Sequence, residues 1–110
     1  MSSAPQAPAA TNPGADNEEL IALLRRTAAR DAGAFAALYR QTHALLYGVV
    51  ARILTRGDAS GEALQEAYVR IWEKANDFDP AKGSPLAWMA TIARNRALDE
   101  IRRVLPPGTL

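Results

Sequence analysis

The sequence predicts an all-α fold, a compact bundle of about four helices. Apolar residues recur at spacings of three and four along four stretches, which is the periodicity of a helix with one buried face. Capping residues and turn signals separate these stretches, and no β-strand pattern is found. The 110 residues, 48% of them hydrophobic, can bury one modest core and leave little room for a second. We therefore expect a single helical domain.

Residues 1–15 have the composition of a disordered tail, because they are rich in Ala and Pro and carry no charged side chain. They lack the basic and apolar regions of a secretory signal. No stretch of the chain approaches the roughly 20 apolar residues of a membrane span. Cysteine is absent, which fits a reducing compartment. The expectation is a soluble bacterial protein of the cytoplasm that does not insert into a membrane.

The first two helices are predicted from their caps and apolar faces. Asp16, with Glu19 three residues later, resembles a capping box, and the helix that follows ends near Arg30. Asp31 is a plausible cap for a second, long helix from about Ala32 to Thr55. Its apolar positions, with Leu45 and Leu54 widening the face, are Phe35, Leu38, Tyr39, Thr42, Leu46, Val49, Val50 and Ile53.

The third helix is predicted over Ala63 to Ala75. Gly57 stands where a glycine would end the second helix, and Asp58 or Ser60 can cap the third. Its buried face consists of Leu64, Ala67, Tyr68, Ile71, Trp72 and Ala75.

A loop and a fourth helix follow. Asp79-Pro80 and Lys82-Gly83 are turn signals, and Ser84-Pro85 is a favourable helix start, with serine as the cap. The buried side of this helix is marked by Leu86, Ala90, Ala93, Ala97 and Ile101, with Met89, Ile92 and Leu98 beside them. The structured domain is thus expected to span residues 16–104, and residues 105–110 to begin a linker.

Charge is distributed unevenly along this nearly neutral chain. Residues 58–79 contain six acidic and two basic side chains, whereas the predicted fourth helix carries four arginines against two acids. An acidic helix face suits a basic protein surface, and a basic helix suits phosphate. The two regions are therefore expected to bind different partners.

Sequence signatures of catalysis are missing. The chain has no P-loop, no glycine-rich dinucleotide turn, no HExxH and no GxSxG. Its one histidine, His43, lies within the long helix, where a packing role is more common than that of a base. The sequence argues against an enzyme and indicates no cofactor, metal ion or small-molecule substrate.

Two segments of the sequence, taken together, match a known family: FAALYRQTHALLYGVVARIL and EALQEAYVRIWEKANDFDPAKGSPLAWMATIARNRALDEIRR. They resemble region 2 of the extracytoplasmic-function (ECF) sigma factors, the compact members of the bacterial sigma-70 family. The resemblance extends from Ala34 to about Arg103. Its most specific parts are LQEAYVRIW, FDPAKGS and AWMATIARNRALDEIRR, which occur in the family's order and spacing.

The resemblance implies a polymerase-docking helix. In the family, the helix that carries the LQE segment docks on the clamp helices of the RNA polymerase β′ subunit. The matching positions here are Glu62, Leu64, Gln65, Glu66 and Tyr68. The family more often has aspartate at the position of Glu62 and a further acid at that of Gly61. The alternative is that Glu66 and Glu73 are simply solvated.

The resemblance also implies that the loop captures a flipped base of the promoter -10 element. Flipping costs unstacking energy, which a pocket that stacks on and hydrogen-bonds the base can offset. The candidate lining residues are Asn76, Asp77, Phe78, Lys82 and Ser84. The alternative for two neighbouring positions is structural, with Phe78 filling the core and Asp79 capping a turn. Trp88 is expected to be a core residue rather than a stacking platform.

The fourth helix corresponds to the family's segment at the upstream edge of the -10 element. Its candidate DNA-binding residues are Arg94, Asn95, Asp99, Arg102 and Arg103. Arginine can bind phosphate or guanine, and asparagine can bind adenine. The alternative is a basic surface in which Asp99 pairs with Arg102 or Arg103.

The resemblance as a whole implies the domain of a sigma factor that binds polymerase and melts promoter DNA. Complete factors of this kind have a second helical domain, region 4, that recognises the -35 element. We therefore expect this chain to be a fragment, the alternative being a natural product that is truncated. An anti-sigma factor, often anchored in the membrane, is the expected further partner. The rival interpretation is a helical interaction module, such as a sigma mimic or antagonist, that does not bind DNA.

Overall fold

The computed structural model describes residues 16–55 and 57–104. These described residues form four helices, α1 (Asn17–Ala28), α2 (Ala32–Ile53), α3 (Gly57–Lys74) and α4 (Pro85–Val104), with a 3-10 turn (Ala75–Asp77) after α3. The described residues include no strand, so the predicted all-α bundle is confirmed. In this part of the chain, no helix combines the length and the apolar character needed to cross a membrane.

Helix α1 begins at the predicted polar cap and ends near Arg30, as predicted, with Ala29 as its C-cap. The Asp16 carboxylate accepts a hydrogen bond from the Glu19 backbone N–H at 3.1 Å. At the other end Arg30 adopts a left-handed conformation with φ 69°, which is unusual for a residue other than glycine. The guanidinium of Arg30 donates to the Trp72 carbonyl oxygen and lies 5.0 Å from the centroid of the Trp72 ring. These contacts tie the α1–α2 turn to the end of α3.

Helix α2 starts as expected, because the Asp31 carboxylate accepts from the Ala34 N–H at 3.1 Å. This bond and the Arg26 guanidinium lower the pKa of Asp31 below its usual value. The buried residues of α2 are spaced four apart: Ala34, Leu38, Thr42, Leu46 and Val50. The prediction that Tyr39 and Leu45 are buried is wrong, since they are 41% and 47% exposed. Both flank the buried row, where no neighbouring helix covers them completely.

The start of α3 differs from the prediction. Gly57 is the first residue of α3 rather than the end of α2, whose C-cap is Leu54 in an extended conformation. Ser60 consequently lies inside α3, and its hydroxyl donates to the Leu54 carbonyl oxygen at 3.2 Å instead of capping the helix. Asp58 also falls inside the helix rather than before it.

The core lies where α2, α3 and α4 meet, with α1 packed along α2. On α3, Ala67 and Ile71 are fully buried, as predicted. On α4 the centre of the buried side is Met89, with Ala93 and Ala97, all at 0% exposure. Leu86, Ala90 and Ile101, predicted as central positions, are only partly buried at its edges. The small alanine side chains allow α4 to approach its neighbours closely.

The fourth helix starts as predicted. Ser84 Oγ accepts a hydrogen bond from the Ala87 N–H at 3.1 Å, and Pro85 is the first helical residue. Because α4 follows α3 after only a short loop, the two helices pack side by side and the loop lies at one end of the bundle.

Candidate interaction surfaces

A pocket of about 330 Å³ lies between the loop that follows α3 and the first turns of α4. It is lined by Asp77, Phe78, Asp79, Lys82, Gly83, Ser84, Ala87, Trp88 and Thr91. Four of the five predicted loop residues are among them; Asn76 is exposed and is not. The rings of Phe78 and Trp88 meet edge to face, with centroids 5.6 Å apart and planes at 63°. The loop therefore forms a concave site with aromatic walls.

Several polar groups of this pocket are engaged in building the loop. Asp79 Oδ1 accepts from the Ala81 N–H at 2.9 Å, so Asp79 caps a turn, as the structural alternative proposed. Ser84 Oγ is engaged as the cap of α4. Among the described residues, the side chains of Asp77 and Lys82 have no hydrogen-bond or ion-pair partner. These two are the groups left to meet a ligand.

Phe78 and Trp88 each combine a core contact with a place in the pocket wall. Each is partly buried and packs against the core. Each also contributes to the wall of the pocket. A core contact on one side of a ring fixes the orientation of the side that faces the pocket.

The exposed side of α4 separates into free and paired residues. Arg94 and Asn95 are exposed and have no side-chain partner among the described residues. Asp99 accepts from Arg102 at 3.0 Å and from Arg70 of α3 at 3.5 Å. The predicted alternative, pairing within α4, thus holds for Asp99 and Arg102.

Arg103 pairs with Glu100 rather than with Asp99. One of its terminal nitrogens lies 2.8 Å from each oxygen of the Glu100 carboxylate. The hydrogen bond from Arg103, supported by one from Arg96, lowers the pKa of Glu100 below its usual value. The pKa of Arg103 is raised for the reciprocal reason.

Sequence reasoning missed the role of Arg96, which was counted only as one of four basic residues of α4. It is 9% exposed, and its guanidinium bonds to Glu66 of α3 and, at 3.1 Å, to Glu100. The signal was in the spacing: Arg96 stands three residues after Ala93 and seven after Met89, on the buried side of the helix. A buried arginine needs carboxylate partners.

A second concave surface, which we call the aromatic groove, runs between α2 and α3. It measures about 380 Å³ and is lined by Phe35, Tyr39, Gln65, Tyr68, Val69 and Trp72. Phe35 meets Trp72 edge to face at 5.1 Å, and Tyr39 meets Tyr68 at 4.8 Å. His43 stacks on Tyr39 at 4.9 Å, the packing role expected for it.

The five predicted polymerase-binding residues divide among different environments. Gln65 and Tyr68 line the aromatic groove. Glu62 and Glu66 are exposed on α3, with Glu66 turned toward Arg96 of α4. Leu64 is in the core at 6% exposure. A partner on this face would therefore meet mainly Glu62, Gln65 and Glu66. The exposed Val69 and Tyr39, which were not predicted as docking residues, lie beside them.

No group of three or more metal-ligating side chains occurs in the described part of the chain. The two surfaces present groups for non-covalent contacts: aromatic walls with one unpaired acid and one unpaired base in the pocket, and acids beside an apolar groove on α3.

The sequence profile of the sigma-70 region 2 family matches residues 38–104, more than half of the chain. This chain belongs to the sigma-70 region 2 family. The matched residues of this region 2 domain include α3, the loop with its pocket, and α4.

The relatives of this region 2 domain are ECF sigma factors, which confirms the resemblance noted in the sequence. It is 48% identical over 84 residues to the "ECF RNA polymerase sigma factor SigK" of Mycolicibacterium vanbaalenii, covering 76% of this chain and 43% of that one. It is 46% identical over 92 residues to the protein of the same name from Mycobacterium tuberculosis, covering 84% of this chain and 49% of that one. The Mycobacterium ulcerans protein is 45% identical over 92 residues. The chain thus spans a little under half the length of these relatives.

Proposed function

We propose that this chain is the region 2 domain of an ECF sigma factor, which binds RNA polymerase core and recognises and melts the promoter -10 element. The observation that carries the proposal is the pocket beside α4, with its aromatic walls and two unpaired charged groups. It lies in the loop where the family captures a flipped base.

The pocket has the properties that a single unstacked base requires. Its volume is at the lower end of the roughly 300–1,000 Å³ typical of small-ligand sites. Phe78 and Trp88 supply aromatic surface for contact with a base. Lys82 can bind an adjacent phosphate or a base acceptor, and Asp77 can accept from an exocyclic amino group.

Helix α4 adds contacts beside the pocket. Arg94 is exposed and unpaired, so it can neutralise a phosphate without first breaking an ion pair. Asn95, next to it, can hydrogen-bond a base edge. Arg102 and Arg103 are engaged by Asp99 and Glu100, and their contribution to DNA binding should be smaller.

We assign polymerase docking to two exposed acids of α3, Glu62 and Glu66, and the aromatic groove beside them. Acidic side chains favour a basic partner surface, and the groove offers apolar area for the same contact. The partner is the pair of clamp helices of the β′ subunit, and an anti-sigma factor would cover the same surfaces. Such a domain acts in the bacterial cytoplasm, where polymerase is found.

The proposal is tested by titrating a β′ clamp-helix fragment with the parent chain, Gln65→Ala and Glu62→Arg. The matched control is Glu73→Arg, an equal charge reversal at an exposed acid of α3 outside the predicted docking set. The first two variants should bind several-fold more weakly, and the control should bind like the parent. Failure of the parent to bind, or equal binding by all four proteins, would refute the docking assignment.

A second titration separates a sigma domain from an interaction module. The parent should bind a -10 single strand with an affinity that falls as salt rises, because phosphate contacts release counterions. A chain that binds the clamp helices but no single strand at low salt would be an interaction module instead.

A further inference from the structure

Arg96 connects the two functional helices through a buried guanidinium. Its side chain is 11% exposed, and both Nε and Nη2 contact Oε1 of Glu66 on α3. Nη2 also lies 3.1 Å from Oε1 of Glu100. Arginine stays charged in proteins, so at this depth it must remain paired with carboxylates.

Glu66, the α3 partner, is held by only one of its two oxygens. Both contacts from Arg96 go to Oε1, and Oε2 has no hydrogen-bond partner among the described residues. The Glu66 side chain is 55% exposed. Its carboxylate is therefore fixed on one side and accessible to another molecule on the other.

We propose that Arg96 is a positioning residue for polymerase docking: it fixes the Glu66 carboxylate so that the free oxygen meets a basic group of the partner. This inference rests on the proposed function. Arg96 itself does not touch the partner, because its guanidinium is enclosed between α3 and α4.

The physical advantage is entropic. A flexible exposed glutamate loses rotamer freedom when it pairs with a partner, and that loss weakens binding. Glu62 lies exposed on the same helix and has no hydrogen-bond or ion-pair partner among the described residues. Glu66 is already ordered, so it should contribute more to docking than Glu62.

The same geometry shows how Arg96 can be removed without unfolding the domain. Methionine fills a similar volume, and removing one partner of a buried ion pair is costly mainly when the other charge is left buried and unpaired. Glu100 would keep both hydrogen bonds to Arg103, at 2.8 Å each. Glu66 would become a solvated surface glutamate, so Arg96→Met leaves no buried carboxylate unpaired.

The experiment is a double-mutant cycle on binding to the β′ clamp-helix fragment. The proteins are the full 110-residue chain, Arg96→Met, Glu66→Gln and the double variant. Each single variant should bind about fivefold to tenfold more weakly, and the double variant no more weakly than Glu66→Gln alone. Such non-additivity would show that Arg96 acts through Glu66, which a general loss of stability would not produce.

Arg70→Met is the matched control. Arg70 also joins α3 to α4, through Asp99 at 3.5 Å, but it does not contact Glu66. The Arg70→Met variant should bind the fragment like the parent. Arg96→Lys is a second test variant. It keeps the positive charge but cannot contact Glu66 through two nitrogens, so its affinity for the fragment should lie between those of the parent and Arg96→Met.

The possible failures are distinguishable. If the parent does not bind the fragment, the proposed function is wrong and the inference falls with it. If Gln65→Ala weakens binding while Arg96→Met and Arg96→Lys bind like the parent, docking stands and the role of Arg96 is refuted. Additive losses of affinity in the cycle would likewise refute the role of Arg96, as would an equal loss of affinity in Arg70→Met. Should Arg96→Met fail to fold, the cycle is run with Arg96→Lys, and additive losses there would equally refute the role of Arg96.

Discussion

The hydroxyl groups of Thr42 and Tyr68 form a buried hydrogen bond, 2.5 Å long, between α2 and α3. The Thr42 hydroxyl donates its own proton to the Leu38 carbonyl oxygen at 2.8 Å. Tyr68 therefore supplies the proton of the bond between the two side chains. This pair joins the floor of the aromatic groove to the core.

Tyr68 should make the stability of the domain fall at alkaline pH. Burial raises the pKa of Tyr68 to about 12, from the ordinary value of 10.0. The unfolded chain thus loses this proton first as pH rises above 10, and the stabilisation disappears as pH approaches the folded pKa. The loss should reach about 2 kcal/mol across this range.

Tyr68→Phe measures this contribution, because it removes the titrating group and leaves Thr42 bonded to Leu38. Urea denaturation of both proteins from about pH 9 to about pH 11.5 should show the parent losing more stability than the variant. Parallel losses in the two proteins would mean that Tyr68 does not titrate differently on unfolding.

Arg94 and Arg102 should differ in their effect on DNA binding. Arg94 has no partner among the described residues, whereas Arg102 donates to Asp99 at 3.0 Å. Arg94→Ala should weaken binding to a -10 single strand and reduce the slope of log affinity against log salt by about one phosphate contact. Arg102→Ala should have a smaller effect on both the affinity and the salt slope. A larger change in slope for Arg102→Ala would contradict the assignment of free and paired arginines.

Ser84 has a structural role that can be separated from its place in the pocket. Ser84→Ala removes the cap of α4 and should lower the free energy of unfolding by about 1 kcal/mol. Ser84→Asp keeps a capping oxygen and should retain stability, but it adds a negative charge to the pocket and should weaken DNA binding. Thermal denaturation of both variants measures their stability, and titration with a -10 single strand measures their DNA binding. Equal stability of the two variants would show that the cap is unimportant.

Arg30 combines an unfavourable backbone with favourable side-chain contacts. Arg30→Gly relieves the left-handed conformation but loses the hydrogen bond to the Trp72 carbonyl and the contact with its ring. Because a charged hydrogen bond and a cation–π contact together exceed the strain, the variant should be destabilised by about 1 kcal/mol. Arg30→Asn is the control. Asparagine tolerates this conformation less well than glycine and does not reach Trp72, so this variant should lose more stability than Arg30→Gly. A stabilised glycine variant in urea denaturation would show that strain dominates.

Local signals in the sequence predicted most of the fold. Asp16, Asp31 and Ser84 each accept the backbone hydrogen bond expected of a cap. Capping depends on neighbouring residues only, so it can be recognised without knowing the tertiary structure. Gly57 was misplaced because a glycine between two helices can end one or begin the other, and the length of the connection decides which.

The width of a buried face and the partners of charged residues were harder to predict. Spacing located the buried row of α2, but the exposure of Tyr39 and Leu45 depends on where the neighbouring helices lie. Likewise, the sequence placed Asp77 and Lys82 in a candidate DNA-binding loop without showing that they would be the unpaired ones. That outcome depends on backbone geometry, which directs Asp79 to the turn and Ser84 to the start of α4.

The chain has two tryptophans, and they lie on different surfaces. Trp72 lines the aromatic groove, and Trp88 lines the pocket beside α4. Each surface therefore carries its own intrinsic fluorophore. With Trp88 replaced by Phe, the emission of the chain would report on contacts at the groove; with Trp72 replaced, it would report on a base entering the pocket. The order in which protein and nucleic acid bind could thus be followed in real time without attaching a dye.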